Sequence, residues 1–115
     1  MTPGFDLLLA HGRALIAAGR DDDALTYFRA LERQCPREPL GAIELARLCA
    51  RLGRNDDAIA AYERALALDP APEVAIAALA ELAELLAATG REDEAVAIRA
   101  EAQRRAAERD EAERG

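Results

Sequence analysis

Apolar residues recur along this chain at intervals of three and four, the spacing that keeps them on one face of an α-helix. Leu8, Leu15 and Ile16 form one such set, Leu45, Leu48 and Leu52 a second, and Leu79, Leu82, Leu85 and Leu86 a third. Between and after these sets lie Leu25, Phe28 and Leu31, then Ile59, Tyr62 and Leu66, and finally Val96 with Ile98. The alternation predicts about six helices, taken in pairs. Pro36 and Pro70 end the second helix of the first two pairs, because a proline cannot continue the hydrogen-bond ladder. Pro39 and Pro72 suit the opening turn of the helices that follow, where a missing N–H costs little.

The two helices of each pair are separated by the same short motif. Gly19-Arg20-Asp21-Asp22-Asp23-Ala24 returns as Gly53-Arg54-Asn55-Asp56-Asp57-Ala58 and again as Gly90-Arg91-Glu92-Asp93-Glu94-Ala95. The first two copies lie 34 residues apart and the next two 37 apart, within the repeat length of helix-turn-helix solenoids. The wider second interval predicts that the first helix of repeat three is about one turn longer. Glycine just past a helix end takes the left-handed conformation that closes the last turn, and the acids after it sit at the positive end of the next helix dipole. That dipole role accounts for Asp21, Asp22 and Asp23, and no metal is expected there.

Composition narrows the class. Half of the 115 residues are apolar and few are aromatic, so the chain can bury a core without disulfides or metal, and its alanine- and leucine-rich make-up favours an all-α domain spanning 1–115. A formal charge of -7 argues against nucleic acid as a partner, since phosphate neutralisation needs a basic surface. The opening Met-Thr-Pro-Gly-Phe-Asp has no basic segment followed by a long apolar run, and no membrane association is expected; a cytoplasmic location is the simplest reading. Cys35 and Cys49 show no metal or disulfide spacing and read as ordinary small residues. The single histidine, His11, falls on a face expected to be packed and has no nucleophile placed by motif beside it. Catalysis is therefore not expected, and no cofactor is implied.

With these residues in hand, the chain resembles the tetratricopeptide repeat family over nearly its whole length. Repeat two, about 39–72, carries Leu45, Ala46, Gly53, Ala58, Tyr62, Ala65 and Pro70 at the family's signature places. Repeat one, about 5–38, keeps Gly12, Gly19, Ala24, Phe28 and Pro36, with His11 and Leu31 departing from the pattern. Repeat three, about 73–107, departs further: Arg99 stands where a wedge aromatic belongs and Ala107 where a proline belongs. A charged helix extension over about 100–114 then reads as a solvated cap. The resemblance implies a right-handed all-α solenoid that binds another protein or peptide in the concave groove lined by its first helices.

Carried over residue by residue, the groove consists of Leu9, Arg13 and Ile16, then Ile43, Arg47, Ala50 and Arg51, then Ala80, Glu84 and Ala87. Arg13 and Arg47 occupy equivalent places 34 residues apart, and two neighbouring guanidinium groups repel unless an anion lies between them. Either a carboxylate-bearing partner segment supplies that anion, or Glu44 or Glu84 does. Family members that clamp a chaperone's C-terminal carboxylate use lysines, asparagines and an arginine, where this chain has Leu9, Arg13, Glu44, Ala77 and Glu81. A chaperone-tail receptor is therefore not expected.

Two further readings concern self-contact. Phe5, Leu8 and Leu9 crowd the first helix and form a candidate homodimer surface, unless they simply pack within repeat one. The acidic residues Glu108, Asp110, Glu111 and Glu113 either fold back toward Arg13 and Arg47 or form a frayed charged terminus.

Overall fold

Backbone reversal at the three repeated turns is carried by glycine in the left-handed region, with φ of 75° at Gly19, 78° at Gly53 and 83° at Gly90. At Gly53 the glycine N–H donates to the Ala50 carbonyl at 3.1 Å and the Arg54 N–H to the Cys49 carbonyl at 2.8 Å. This double bond pattern satisfies two carbonyls that the helix itself leaves without partners, and it repeats at Gly19 and Gly90. A Cβ on any of the three would meet nothing within 4 Å, so the demand on these positions is conformational.

The computed structural model describes residues 4–115 and contains six helices among them: α1 (Phe5–Ala17), α2 (Asp21–Gln34), α3 (Pro39–Arg51), α4 (Asn55–Ala67), α5 (Pro72–Ala88) and α6 (Glu92–Arg114). No strand occurs among the described residues. Pro39 and Pro72 sit in the opening turns of α3 and α5. α5 has 17 residues, against 13 in α1 and in α3, taking up the three extra residues of the second repeat interval and the one by which α4, at 13, is shorter than α2, at 14. Among the described residues no helix is long and apolar enough to cross a membrane.

Packing divides the chain into two compact units, one ending at Leu68 and the other Asp69–Gly115. In the first, α1 lays Phe5, Leu9 and Gly12 on α2, which buries Ala24, Leu25, Phe28 and Leu31. Gly12 is there for space: a Cβ on it would lie 2.4 Å from Cζ of Phe28, which is itself fully buried. α3 and α4 pack through small residues, with Ala46, Ala58, Ala61 and Ala65 wholly buried around Leu45, Leu48, Ile59 and Tyr62. α3 also lies against α2, where the Cα of Gly41 faces Leu31. In the second unit Leu79, Leu82 and Leu86 of α5 close over Ala95 and Ala102 of α6.

Burial corrects the self-contact expectation for α1. Phe5 and Leu9 are 1% and 4% exposed and belong to the core, because together with Gly12 they form the three-and-four spaced stripe that meets α2. Leu8 remains on the surface, and Leu7, which stands two residues off that stripe, is 78% exposed.

The Gly12 contact and the turn glycines fail differently on substitution. Gly12→Ala should destabilise the chain by about 1–2 kcal/mol, overpacking outweighing the gain in helix propensity, and Phe28→Leu in the same chain should recover more than half of that loss. Gly53→Ala should cost about 1 kcal/mol with no recovery from any neighbouring truncation, because its cause is backbone strain. Urea unfolding followed by circular dichroism measures both; a neutral Gly12→Ala would refute the close approach of α1 to α2.

Candidate protein-interaction face

In the first unit, α1 and α3 run their outward stripes side by side and so bring Arg13 and Arg47 to one place. Both meet Glu44. Arg13 donates from Nε and Nη2 to Oε1 of Glu44 at 3.0 and 2.8 Å, and Nη1 of Arg47 lies 3.7 Å from that same oxygen. The Glu44 side chain is 11% exposed, whereas Arg13 and Arg47 are 54% and 46% exposed. A largely desolvated carboxylate thus sits beneath two half-exposed guanidinium groups. The anion that the arginine pair requires is supplied from within the chain, by the first of the two acids considered.

One turn further along α3, Nη2 of Arg51 meets Oδ1 of Asp21 at 2.9 Å, joining α3 to the start of α2. Asp21 therefore does more than face a helix dipole: it ties one hairpin to the next. Ile16 and Ala50 are half-buried beside this face. Leu9 and Ile43, expected to line the groove, are buried at 4% and 2% exposure and cannot present side-chain area to a partner in this conformation. In the second unit Ala80 and Glu84 are exposed on α5 and Ala87 is half-buried.

Several contacts escaped sequence reading because they join residues about thirty apart. Arg64 of α4 makes a two-pronged contact with Glu32 of α2, Nε to Oε2 at 2.6 Å and Nη2 to Oε1 at 2.9 Å, and this hydrogen bonding raises the Arg64 pKa. Nearby lies a depression of about 280 Å³ walled by Arg29, Arg33, Asp57 and Ala60, with Cys49 among its lining. Burial, reinforced by the charge of Asp57, pushes the Cys49 thiol up, so it stays protonated and unreactive near neutral pH. Both cysteines are buried and free.

His11 is exposed, contrary to its expected place on a packed face, and its ring lies 5.0 Å from that of Tyr27. The helix is rotated so that Gly12 packs in the core against Phe28 of α2, while His11 touches α2 only at its exposed edge, through Tyr27. Tyr27 donates its hydroxyl to the Leu8 carbonyl at 2.6 Å, and desolvation with some contribution from Cys35 raises its pKa. The acidic C-terminal segment is helical and not frayed: it is the last part of α6, where Glu108 accepts from Arg104 at 2.6 Å and Glu113 lies 3.2 Å from Arg109. Among the described residues no group of three or more His, Cys, Asp or Glu side chains is placed to hold a metal ion.

Comparison with known proteins places this geometry. The sequence profile of the tetratricopeptide repeat matches residues 9–73 and 44–111. Among solved structures, the type III secretion chaperone SycD of Yersinia enterocolitica, in complex with a peptide of the translocator YopD, superposes with a TM-score of 0.78 at 22% identity, over 91% of this chain and 78% of that one. The globular C-terminal domain of LpoP from P. aeruginosa gives 0.78 at 19% identity, over 90% and 98%. A crystal structure of MamA gives 0.70 at 22% identity over 81% of this chain and 53% of that one, so the chain spans about half the length of the MamA chain it matches. At these identities the likeness is one of fold. A sequence search of curated proteins gave no match.

The Glu44 contact should be measurable as a coupling. In a double-mutant cycle of Arg13→Ala and Glu44→Ala, the interaction energy should be about 0.5–1.5 kcal/mol, below that of a fully buried pair because Arg13 is half in water. Glu44→Ala alone should cost more than Arg13→Ala, since it leaves two guanidinium groups facing each other. A coupling indistinguishable from zero in urea unfolding would show that the contact does not hold α1 to α3.

Proposed function

This chain belongs to the tetratricopeptide repeat family, and from that membership together with the Arg13–Glu44–Arg47 cluster we propose that it is a non-enzymatic protein-interaction module whose partner presents an acidic peptide or helix to the α1–α3 face. The carrying observation is the geometry of that cluster: two half-exposed arginines converge on one largely buried carboxylate oxygen, in a chain whose net charge is -7. Each guanidinium has five N–H donors in a fixed fork, more than Glu44 engages on Arg13, so a carboxylate arriving from solvent finds donors already oriented. Glu44 holds the side chains in place before the partner arrives, which lowers the ordering cost of binding.

Ile16 and Ala50 flank the arginines and supply the apolar margin of this contact, with Arg51 at its far end held by Asp21. Leu9 and Ile43 support the face from beneath and are not proposed as contact residues. In the second unit the equivalent of Arg13 and Arg47 is Glu84, so recognition of an acid is assigned to the first unit, while Ala80, Glu84 and Ala87 are left out of it. That SycD was solved holding a peptide supports peptide binding as something this fold accommodates.

The test is affinity capture with wild type and with Arg47→Ala, followed by titration of a synthetic peptide from the captured partner. Arg47→Ala removes a half-exposed side chain at the edge of the cluster and should leave the helical content unchanged. Peptide affinity should fall roughly five- to thirtyfold, in line with loss of one charge-assisted contact, and the wild-type affinity should weaken as salt is raised. Equal affinity of the two proteins, or a partner segment without acidic residues, would overturn the reading.

A further inference from the structure

The α5–α6 hairpin carries an open groove of about 300 Å³ formed by Ile76, Ala80 and Glu84 of α5 with Arg99, Ala102, Gln103 and Ala106 of α6. The repeat intervals place these residues in register, 71 positions back, with Phe5, Leu9, Arg13, Phe28, Leu31, Glu32 and Cys35. In the first unit that same surface is closed. Phe5, Leu9, Phe28, Leu31 and Cys35 are all buried, Arg13 is bonded to Glu44 of α3, and Glu32 to Arg64 of α4. There the α1–α2 hairpin is the platform on which the next hairpin, α3–α4, is seated.

The matching half of that contact is also present, uncovered, on α1. α3 buries Gly41, Ala42, Ile43, Glu44, Leu45, Ala46, Leu48 and Cys49. Of their equivalents 34 positions back, Leu9 and Gly12 are buried and Leu15 is half-buried, while Leu7, Leu8, Ala10, His11 and Ala14 are exposed. Side-chain size is exchanged across the two contacts. Where a Cβ built on Gly41 would lie 3.8 Å from the large Leu31, the corresponding pair would be the large Leu7 and the small Ala102. Charge is exchanged as well. The platform position held by Arg13 in the first hairpin is held by Glu84 in the last, so a seated α1, with Arg13 in the place of Arg47, would set a base opposite an acid.

We propose that the chain associates with itself head to tail, the α1–α2 hairpin of one copy seating on the α5–α6 hairpin of the next in the manner of α3–α4 on α1–α2. Such a contact joins two different surfaces and leaves one of each free at the ends, so it builds open chains of copies rather than a closed dimer. It shares Arg13 with the acidic-peptide reading and is otherwise carried by different residues, on α1, α5 and α6.

Sedimentation velocity from micromolar to millimolar protein tests it. The weight-average mass of wild type should rise past that of a dimer without reaching a plateau. Leu7→Lys spoils the seated helix and Ala80→Arg fills the groove; both sites are solvent-exposed, so circular dichroism should be unchanged while each variant alone stays monomeric. Mixed in equal amounts, the two variants should form a one-to-one dimer and nothing larger, because each keeps the surface the other has lost. Arg47→Ala should self-associate as wild type does, which separates this result from that of the peptide test. A wild type that stays monomeric, an Ala80→Arg variant that dimerises alone, or a mixture that remains monomeric would each overturn the proposal.

Discussion

At each hairpin turn the amide that follows the glycine reaches back five residues to a carbonyl that would otherwise face the turn without a partner. That bond exists only because the glycine backbone is left-handed, and it sets where the second helix of each pair begins. Everything larger is built from the resulting two-helix unit. Close approach within the unit then depends on small residues, Gly12 under Phe28 in the first hairpin and Ala46, Ala58, Ala61 and Ala65 in the next. The glycine turn and the small-residue seam make different demands, one on φ and the other on volume, and both recur at the repeat interval.

Repetition brings an electrostatic difficulty with it. Equivalent surface positions on successive first helices lie next to each other once the hairpins stack, so a charge retained at such a position meets its own copy. Arg13 and Arg47 are that case, and Glu44 resolves it from three residues before Arg47 on the same helix, reaching both from a largely buried place. Arg51 with Asp21 and Arg64 with Glu32 link successive hairpins by the same kind of contact. Exposed ion pairs of this sort contribute little individually, but they set the register of one hairpin on the next. The residues that hold the first unit together are also those that present half-exposed guanidinium groups on its outer face.

Equivalent positions also differ between the first and last hairpins. Phe28 and Tyr62 are buried where Arg99 is exposed, and Leu31 is large where Ala102 is small. At the platform face of α6 the aromatic is withdrawn at Arg99, while Ala102 keeps the alanine of Ala65 where Leu31 departs, and bulky Leu7 and Leu8 stand on the opposite type of face. Within one chain neither change improves the core.

The helices, their pairing and their turns were legible in the order of residues, because a 3.6-residue period, a glycine in a fixed place and proline at an opening turn are local properties. The longer α5 followed from counting alone. Which side of each helix would be covered was not legible in that way. Phe5, Leu7, Leu8 and Leu9 are similar residues in an almost continuous run, and only the rotation of α1 against α2 separates the buried pair from the exposed one. The same rotation turned His11 outward and put Gly12 in contact. Arg13 and Arg47 could be brought together by repeat arithmetic, but that Glu44 would lie between them, and that Glu32 would find Arg64, depended on the distance and angle between helices far apart in sequence. Periodicity says which residues share a face; only packing says what that face meets.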